Sequence, residues 1–155
     1  MLYKQTIQFA LQGGIIDLTC GMTGSAIPVP QAVKQALDAG VPLERMTLSS
    51  DGNGSMPKFN ENNELIGLTA AAPRYLYEEM LSIVKAGVLP FDKALQLITC
   101  NVADALKLED KGRIAVGKDA DLIVWNDDLT LNKVFARSRL MVDKGQAVVK
   151  GTFEN

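Results

Sequence analysis

The sequence contains no histidine, and this absence excludes more chemistry than any other feature of its composition. Without an imidazole, the chain cannot build a Ser-His-Asp or Cys-His catalytic group by itself. It also lacks the nitrogen ligands that catalytic zinc sites ordinarily use.

Cysteine is scarce as well. The two cysteines, Cys20 and Cys100, lie far apart in the sequence, a pattern typical of reduced thiols in a cytoplasmic protein. Because no histidine is present to activate a thiol, both are predicted to pack as small apolar side chains rather than to act as nucleophiles.

Long apolar runs and patches of a single charge are also missing. The 16 basic and 18 acidic residues are interspersed and give a net charge of -2, which argues against binding to nucleic acid phosphates. No apolar run approaches the roughly 20 residues that span a bilayer, and the first residues lack the pattern of a secretory signal. The expectation is a cytoplasmic protein with neither a membrane nor a nucleic acid as its partner.

The first two thirds of the chain alternate between strand and helix patterns. Short apolar runs at 15–19 and 46–50 predict strands, and amphipathic stretches predict helices. A long polar loop is predicted over 52–67, and Asn101 is predicted to cap a short helix that ends near Leu108. Such alternation predicts parallel βα units, in which the carboxyl ends of the strands and the loops after them build the active site.

The stretch MTLSSDGNGS places Asp51 at the carboxyl end of the second predicted strand, before a glycine-rich turn. Taken by themselves, these residues leave two interpretations open. Asp51 is either a carboxylate that binds a metal or substrate, or a solvated aspartate of an Asx turn. No Gly-Lys-Ser/Thr follows, so Gly-Asn-Gly is predicted to be a plain turn rather than a phosphate-binding loop.

From residue 109 the pattern changes to short antiparallel strands, with a hairpin turn predicted at Asp143-Lys144-Gly145. The chain is therefore divided into 1–108 and 109–155. Two parallel strands cannot close a (β/α)8 barrel, which takes about 250 residues. The remaining alternatives are a smaller open sheet or the C-terminal part of a larger protein.

The sequence from Asn101 to Trp125 resembles the C-terminal signature of the amidohydrolase superfamily, in which the chain re-enters a small β-sandwich. The matching residues are Asn101, Ala103, Lys111, Gly112, Ile114, Gly117, Asp119, Ala120, Asp121, Leu122 and Val124. The acidic pair in this motif, Asp119 and Asp121, is predicted to make hydrogen bonds between loop and strand.

Within that superfamily, GGIIDLT, AGVPLERMTLSSDGNGS and the run at 136–154 look like the isoaspartyl (β-aspartyl) dipeptidases. The resemblance covers nearly all of this chain but only the C-terminal part of the family's enzymes. It implies an α/β fold. Residues 1–108 would form the last two units of an incomplete TIM-like barrel, and 109–155 would form strands of the small β-sandwich.

The same resemblance implies a chemistry. The family hydrolyses the β-peptide bond of isoaspartyl dipeptides at a binuclear zinc site, and its enzymes are homo-oligomers. Asp51 matches the aspartate that ends the eighth barrel strand, ligates one metal and moves a proton from the attacking hydroxide to the leaving amine. Ser55 matches a position that contacts the substrate. The family's metal-binding histidines and lysine have no counterpart in this sequence.

Three hypotheses follow. The chain is a truncated metallohydrolase with little or no activity alone, or it is half of a split enzyme completed by a polypeptide that carries the N-terminal half. The third hypothesis is a non-catalytic remnant or interaction module, which predicts exposed apolar strand edges.

Overall fold

The computed structural model describes residues 2–22 and 27–151. Its helices and strands are α1 (Leu2–Leu11), β1 (Ile16–Thr19), α2 (Val29–Asp38), β2 (Met46–Ser49), β3 (Ser55–Phe59), β4 (Leu65–Ala70), α3 (Tyr75–Lys85), α4 (Phe91–Gln96), α5 (Cys100–Leu106), β5 (Leu122–Trp125), β6 (Leu131–Ala136), β7 (Arg139–Asp143) and β8 (Gln146–Ala147). A single 3₁₀ turn at Leu43–Arg45 precedes β2. The chain divides into two compact units, Met1–Leu106 and Lys107–Asn155.

The first unit is built on a parallel pair of strands. β1 and β2 align in register from Ile16 opposite Met46 to Thr19 opposite Ser49. Alternate side chains of each strand point to opposite faces, and Ile16, Met46 and Leu48 are buried on the face that packs against helices. The predicted parallel βα arrangement is therefore present. The strands end where the sequence predicted, within one residue.

Helix α2 covers part of that apolar face because its small residues recur at helical spacing. Ala32, Val33 and Ala36 are buried, and the helix ends before Gly40, whose φ of 89° suits the chain reversal. Pro30 lies inside the first turn of the helix, where a missing N–H removes no helical hydrogen bond.

The prediction of a long loop over 52–67 is wrong, because most of this segment forms a β-hairpin. β3 and β4 pair antiparallel, from Ser55 opposite Ala70 to Phe59 opposite Leu65. At the tip, Asn60 Oδ1 accepts hydrogen bonds from the N–H groups of Asn62 and Glu64, both at 2.9 Å. The polar composition is that of an exposed hairpin, and every residue of β4 is exposed.

The cap predicted at Asn101 is also wrong. Asn101 lies inside α5 and is buried, and its Nδ2 donates to the carbonyl oxygens of Leu43 at 2.8 Å and Met46 at 2.9 Å. The side chain thereby satisfies two backbone acceptors at the entry to β2 instead of the N-terminus of its own helix.

The second unit is an antiparallel sheet in the order β5–β6–β7–β8. The β7–β8 turn has Lys144 and Gly145 at φ of 49° and 75°, so the predicted hairpin turn is confirmed. Asp121 Oδ1 accepts the N–H of Arg137 at 2.7 Å, and Lys111 Nζ lies 2.5 Å from Asp121 and 2.6 Å from Asp119. Asp121 therefore bonds a loop lysine and the turn between β6 and β7, and the loop-to-strand role predicted for the acidic pair stays a prediction.

Across residues 2–22 and 27–151, β1 and β2 pair only with each other, so the described part of the chain contains no closed barrel. No helix in these ranges is long and apolar enough to cross a membrane. Assignment of the second unit to a β-sandwich, with a boundary at 108/109, stays a prediction.

Candidate functional site

Asp51 lies two residues beyond the carboxyl end of β2 and is exposed. Its φ of 49° is in the left-handed region, which aspartate tolerates better than most residues. This conformation turns the chain sharply away from the strand direction. The carboxylate therefore lies at the strand end, where parallel βα units carry their functional groups.

The turn after Asp51 is closed by its own backbone. The N–H of Gly54 donates to the carbonyl oxygen of Asp51 at 2.8 Å. A Cβ on Gly54 would lie 2.8 Å from that oxygen and 3.1 Å from Asp51 Cγ. Glycine is required at this position because the backbone and side chain of Asp51 fold over it.

The same turn is fastened to the start of the next segment. The N–H of Asn53 donates to the carbonyl oxygen of Ala71, and the N–H of Ala71 donates to that of Gly54, both at 2.9 Å. These bonds join the two ends of the β3–β4 hairpin, so the hairpin begins and ends directly beside Asp51.

Ser55 is the first residue of β3 and is exposed opposite Ala70. It therefore shares the Asp51 turn but stands on the hairpin rather than on the parallel strands. Its role as a substrate contact stays a prediction, as does the role of Asp51.

Sequence reasoning missed Asp17. This residue lies on β1, and its carboxylate accepts hydrogen bonds from Thr47 Oγ1 at 2.7 Å and Ser49 Oγ at 2.5 Å. Part of the signal was available, since IDLT and MTLS both alternate apolar and polar residues, but the register of the two strands comes from the structure. Aligning them in register places the carboxylate beside both hydroxyls.

Cys20 follows β1 and is fully buried. Burial raises the pKa of its thiol to about 12, with further contributions from the nearby charges of Glu79 and Asp17. A thiol held so firmly protonated is a poor nucleophile at neutral pH. This agrees with the packing role predicted for it.

The residues that the structure describes do not fit a complete metal site. Within the described ranges, no group of three or more His, Cys, Asp or Glu side chains is placed to hold a metal ion. A catalytic zinc ion takes about three protein ligands. Asp51 can contribute one of them.

Comparison with known proteins identifies the family of this chain. The model of the amidohydrolase family matches residues 28–154. The chain belongs to the amidohydrolase family. The resemblance predicted from the sequence is therefore confirmed at the level of the family and its α/β fold.

Among solved structures, this amidohydrolase chain is similar to the β-aspartyl dipeptidase of Fervidobacterium islandicum AW-1 in complex with β-Asp-Leu dipeptide. The identity is 31% and the TM-score 0.82, over 97% of this chain and 39% of that one. The N-acetylglucosamine-6-phosphate deacetylase of Thermotoga maritima shares the fold, at 17% identity and a TM-score of 0.62, over 84% of this chain and 39% of that one.

Among sequence relatives, the imidazolonepropionase of Anaeromyxobacter sp. (strain K) is 34% identical over 112 residues, which are 72% of this chain and 22% of the relative. The amidohydrolase chain thus spans 39% of the solved dipeptidase and 22% of this relative. Both similarities concern part of a larger protein.

Proposed function

We propose that this chain supplies the Asp51-bearing part of an isoaspartyl (β-aspartyl) dipeptidase and takes part in hydrolysis of β-aspartyl peptide bonds together with barrel strands outside its sequence. The observation that carries the proposal is its similarity to the F. islandicum enzyme, which extends over 97% of the chain. The match to imidazolonepropionase is comparable in identity but reaches only 72% of the chain. The dipeptidase is therefore the better model for the substrate.

In this proposal Asp51 is the proton carrier. Its exposed carboxylate stands at the strand end, where it accepts a proton from the attacking water and passes it to the amine that leaves. Ser55, on the other side of the glycine turn, hydrogen-bonds the substrate. The family resemblance names zinc as the metal, with Asp51 as one ligand and the others supplied from outside this chain.

The 155-residue chain alone is expected to be inactive, because it has no histidine and its described residues form no three-ligand cluster. Purified chain incubated with β-Asp-Leu and zinc should release no more leucine than zinc without protein. Turnover well above that control would contradict the expected inactivity.

A chimera tests the activity itself. The matching segment of the F. islandicum β-aspartyl dipeptidase is replaced by this chain, and folding is verified by circular dichroism and thermal unfolding. The chimera is expected to hydrolyse β-Asp-Leu, and Asp51→Ala should lower kcat/KM by at least about a hundredfold, the lower range for loss of a general acid–base group. Asp38→Asn, an exposed change on α2, is the matched control. A folded chimera that leaves β-Asp-Leu intact would contradict the proposed function.

A split enzyme is the second candidate, and the small size of the parallel β1–β2 sheet favours it. Parallel sheets are normally covered and extended on both sides, whereas the described residues provide two parallel strands. A polypeptide carrying the N-terminal barrel half should co-purify with this chain and restore hydrolysis of β-Asp-Leu. Stable association without hydrolysis would favour an interaction module instead.

A further inference from the structure

The β1–β2 pair has one apolar and one polar face. The apolar face packs into the core through Ile16, Leu18, Met46 and Leu48. Because successive side chains alternate, the opposite face carries Asp17, Thr19, Thr47 and Ser49. The only charged residue of the two strands is therefore on the face away from the helices.

The Asp17 carboxylate ties both polar residues of β2 to β1. Its Oδ1 accepts from Thr47 Oγ1 at 2.7 Å, and its Oδ2 accepts from Ser49 Oγ at 2.5 Å. Thr47 is only 6% exposed, and its other acceptor, the carbonyl oxygen of Ile16, is 3.5 Å away. Asp17 is thus the better partner of a nearly buried hydroxyl, which is costly to leave unsatisfied.

These contacts lie directly before Asp51. The carbonyl oxygen of Ser49 accepts the N–H of Cys20 at 2.7 Å, a backbone tie between the carboxyl ends of the two strands. After Ser49 one residue intervenes before Asp51 turns with a positive φ. In strands of only four residues, each side-chain tie makes up a large share of the bonds that hold this end.

We infer that Asp17 is a positioning residue, which holds the carboxyl end of β2 against β1 and thereby fixes where Asp51 stands. It acts through Thr47 and Ser49. Its value to catalysis rests on the proposed function of Asp51, whereas its effect on the strand end does not.

Amide hydrogen exchange of the 155-residue chain, followed by NMR, tests this inference. Two amides report on the site, that of Cys20, bonded to Ser49, and that of Gly54, bonded to Asp51. In Asp17→Ala both should exchange at least about fivefold faster, the factor that loss of a net hydrogen bond gives. The amide of Ile83, in the buried part of α3, should keep its rate.

Further variants separate positioning from general loss of stability. Asp17→Asn keeps one acceptor oxygen and should restore part of the protection, whereas Asp38→Ala should change neither reporter. Ser49→Ala should accelerate exchange at both reporter amides less than Asp17→Ala does. In the double variant, the acceleration should be smaller than the product of the two single accelerations, because both substitutions remove the same contact. Unchanged exchange at Cys20 and Gly54, or equal acceleration at Ile83, would overturn the inference.

The exchange experiment needs no turnover, so the two proposals can fail separately. Faster local exchange combined with a chimera that leaves β-Asp-Leu intact would support the role of Asp17 in the fold and contradict the dipeptidase activity. In an active chimera, Asp17→Ala should lower kcat more than it raises KM, with partial recovery in Asp17→Asn. An active chimera indifferent to Asp17→Ala would overturn the positioning role.

Discussion

The N–H of Gly54 donates to the carbonyl oxygen of Asp51 at 2.8 Å, and Asp51 leaves no room for a side chain on Gly54. In Gly54→Ala the new Cβ would meet that backbone oxygen at 2.8 Å, so the turn must open. We expect a loss of about 1–3 kcal/mol in the free energy of unfolding, typical of overpacking, together with displacement of Asp51. Urea denaturation measures the loss.

Gly52 provides the comparison within the same turn. A Cβ there would meet Ser50 Oγ at 3.2 Å and Pro73 Cγ at 3.3 Å, both side-chain atoms. Gly52→Ala should therefore destabilise the chain less than Gly54→Ala. The reverse order would show that the backbone contact does not control the turn.

Much of this site follows from periodicity in the sequence. Apolar runs of strand length separated by an amphipathic helix predict the parallel pair, and the residues after the second run place Asp51 at its carboxyl end. The connection between Asp17 and Ser49 does not follow in the same way. It depends on the register of two strands 30 residues apart, which local pattern does not determine.

The hairpin was missed for a different physical reason. β3 contains Pro57 and β4 contains Gly67, residues that weaken a strand pattern. The side chains of β4 are all exposed, so burial produces no alternation to detect. Leu65, Ile66 and Leu68 of this strand are apolar and exposed.

Asn101 should contribute strongly to stability because it satisfies the carbonyl oxygens of Leu43 and Met46 from a buried position. Asn101→Ala leaves both acceptors without this donor, and a loss of about 2 kcal/mol or more in the free energy of unfolding is expected. Asn101→Asp should not rescue it, since a carboxylate offers no donor. Asn62→Ala, at the exposed hairpin tip, is the control. Equal urea midpoints for the Asn101 and Asn62 variants would contradict this role.

The buried thiol of Cys20 should make stability fall at alkaline pH. Its pKa is raised from 9.0 to about 12 by burial. In the unfolded chain it therefore loses its proton first, and the unfolded state binds fewer protons above pH 9. The stabilising contribution is complete below pH 9 and declines as the pH rises toward 12.

Comparison with Cys20→Ala isolates this effect from other groups that titrate in the same range. Between pH about 8 and about 10, the wild-type chain should lose more free energy of unfolding than the variant. Parallel curves for the two proteins would show that the thiol is not protected. Iodoacetamide should modify Cys100, which is half-buried, before Cys20.

Asp121 gives the second unit the opposite dependence on pH. Its hydrogen bond from Lys111, and next that from the Arg137 N–H, hold the pKa of this carboxyl below its usual 3.8. The unfolded chain therefore takes up a proton before the folded one as the pH falls, and the stabilising contribution is lost below 3.8. In Asp121→Asn the acid-induced loss should be smaller, and the unit should be less stable near neutral pH.

Fluorescence of Trp125, the only tryptophan, follows unfolding of this sheet. Asp127→Asn, an exposed neighbour, should leave the acid profile as it is in the wild type, and a flattened profile in that control would mean that the effect is not specific to the Lys111–Asp121 contact.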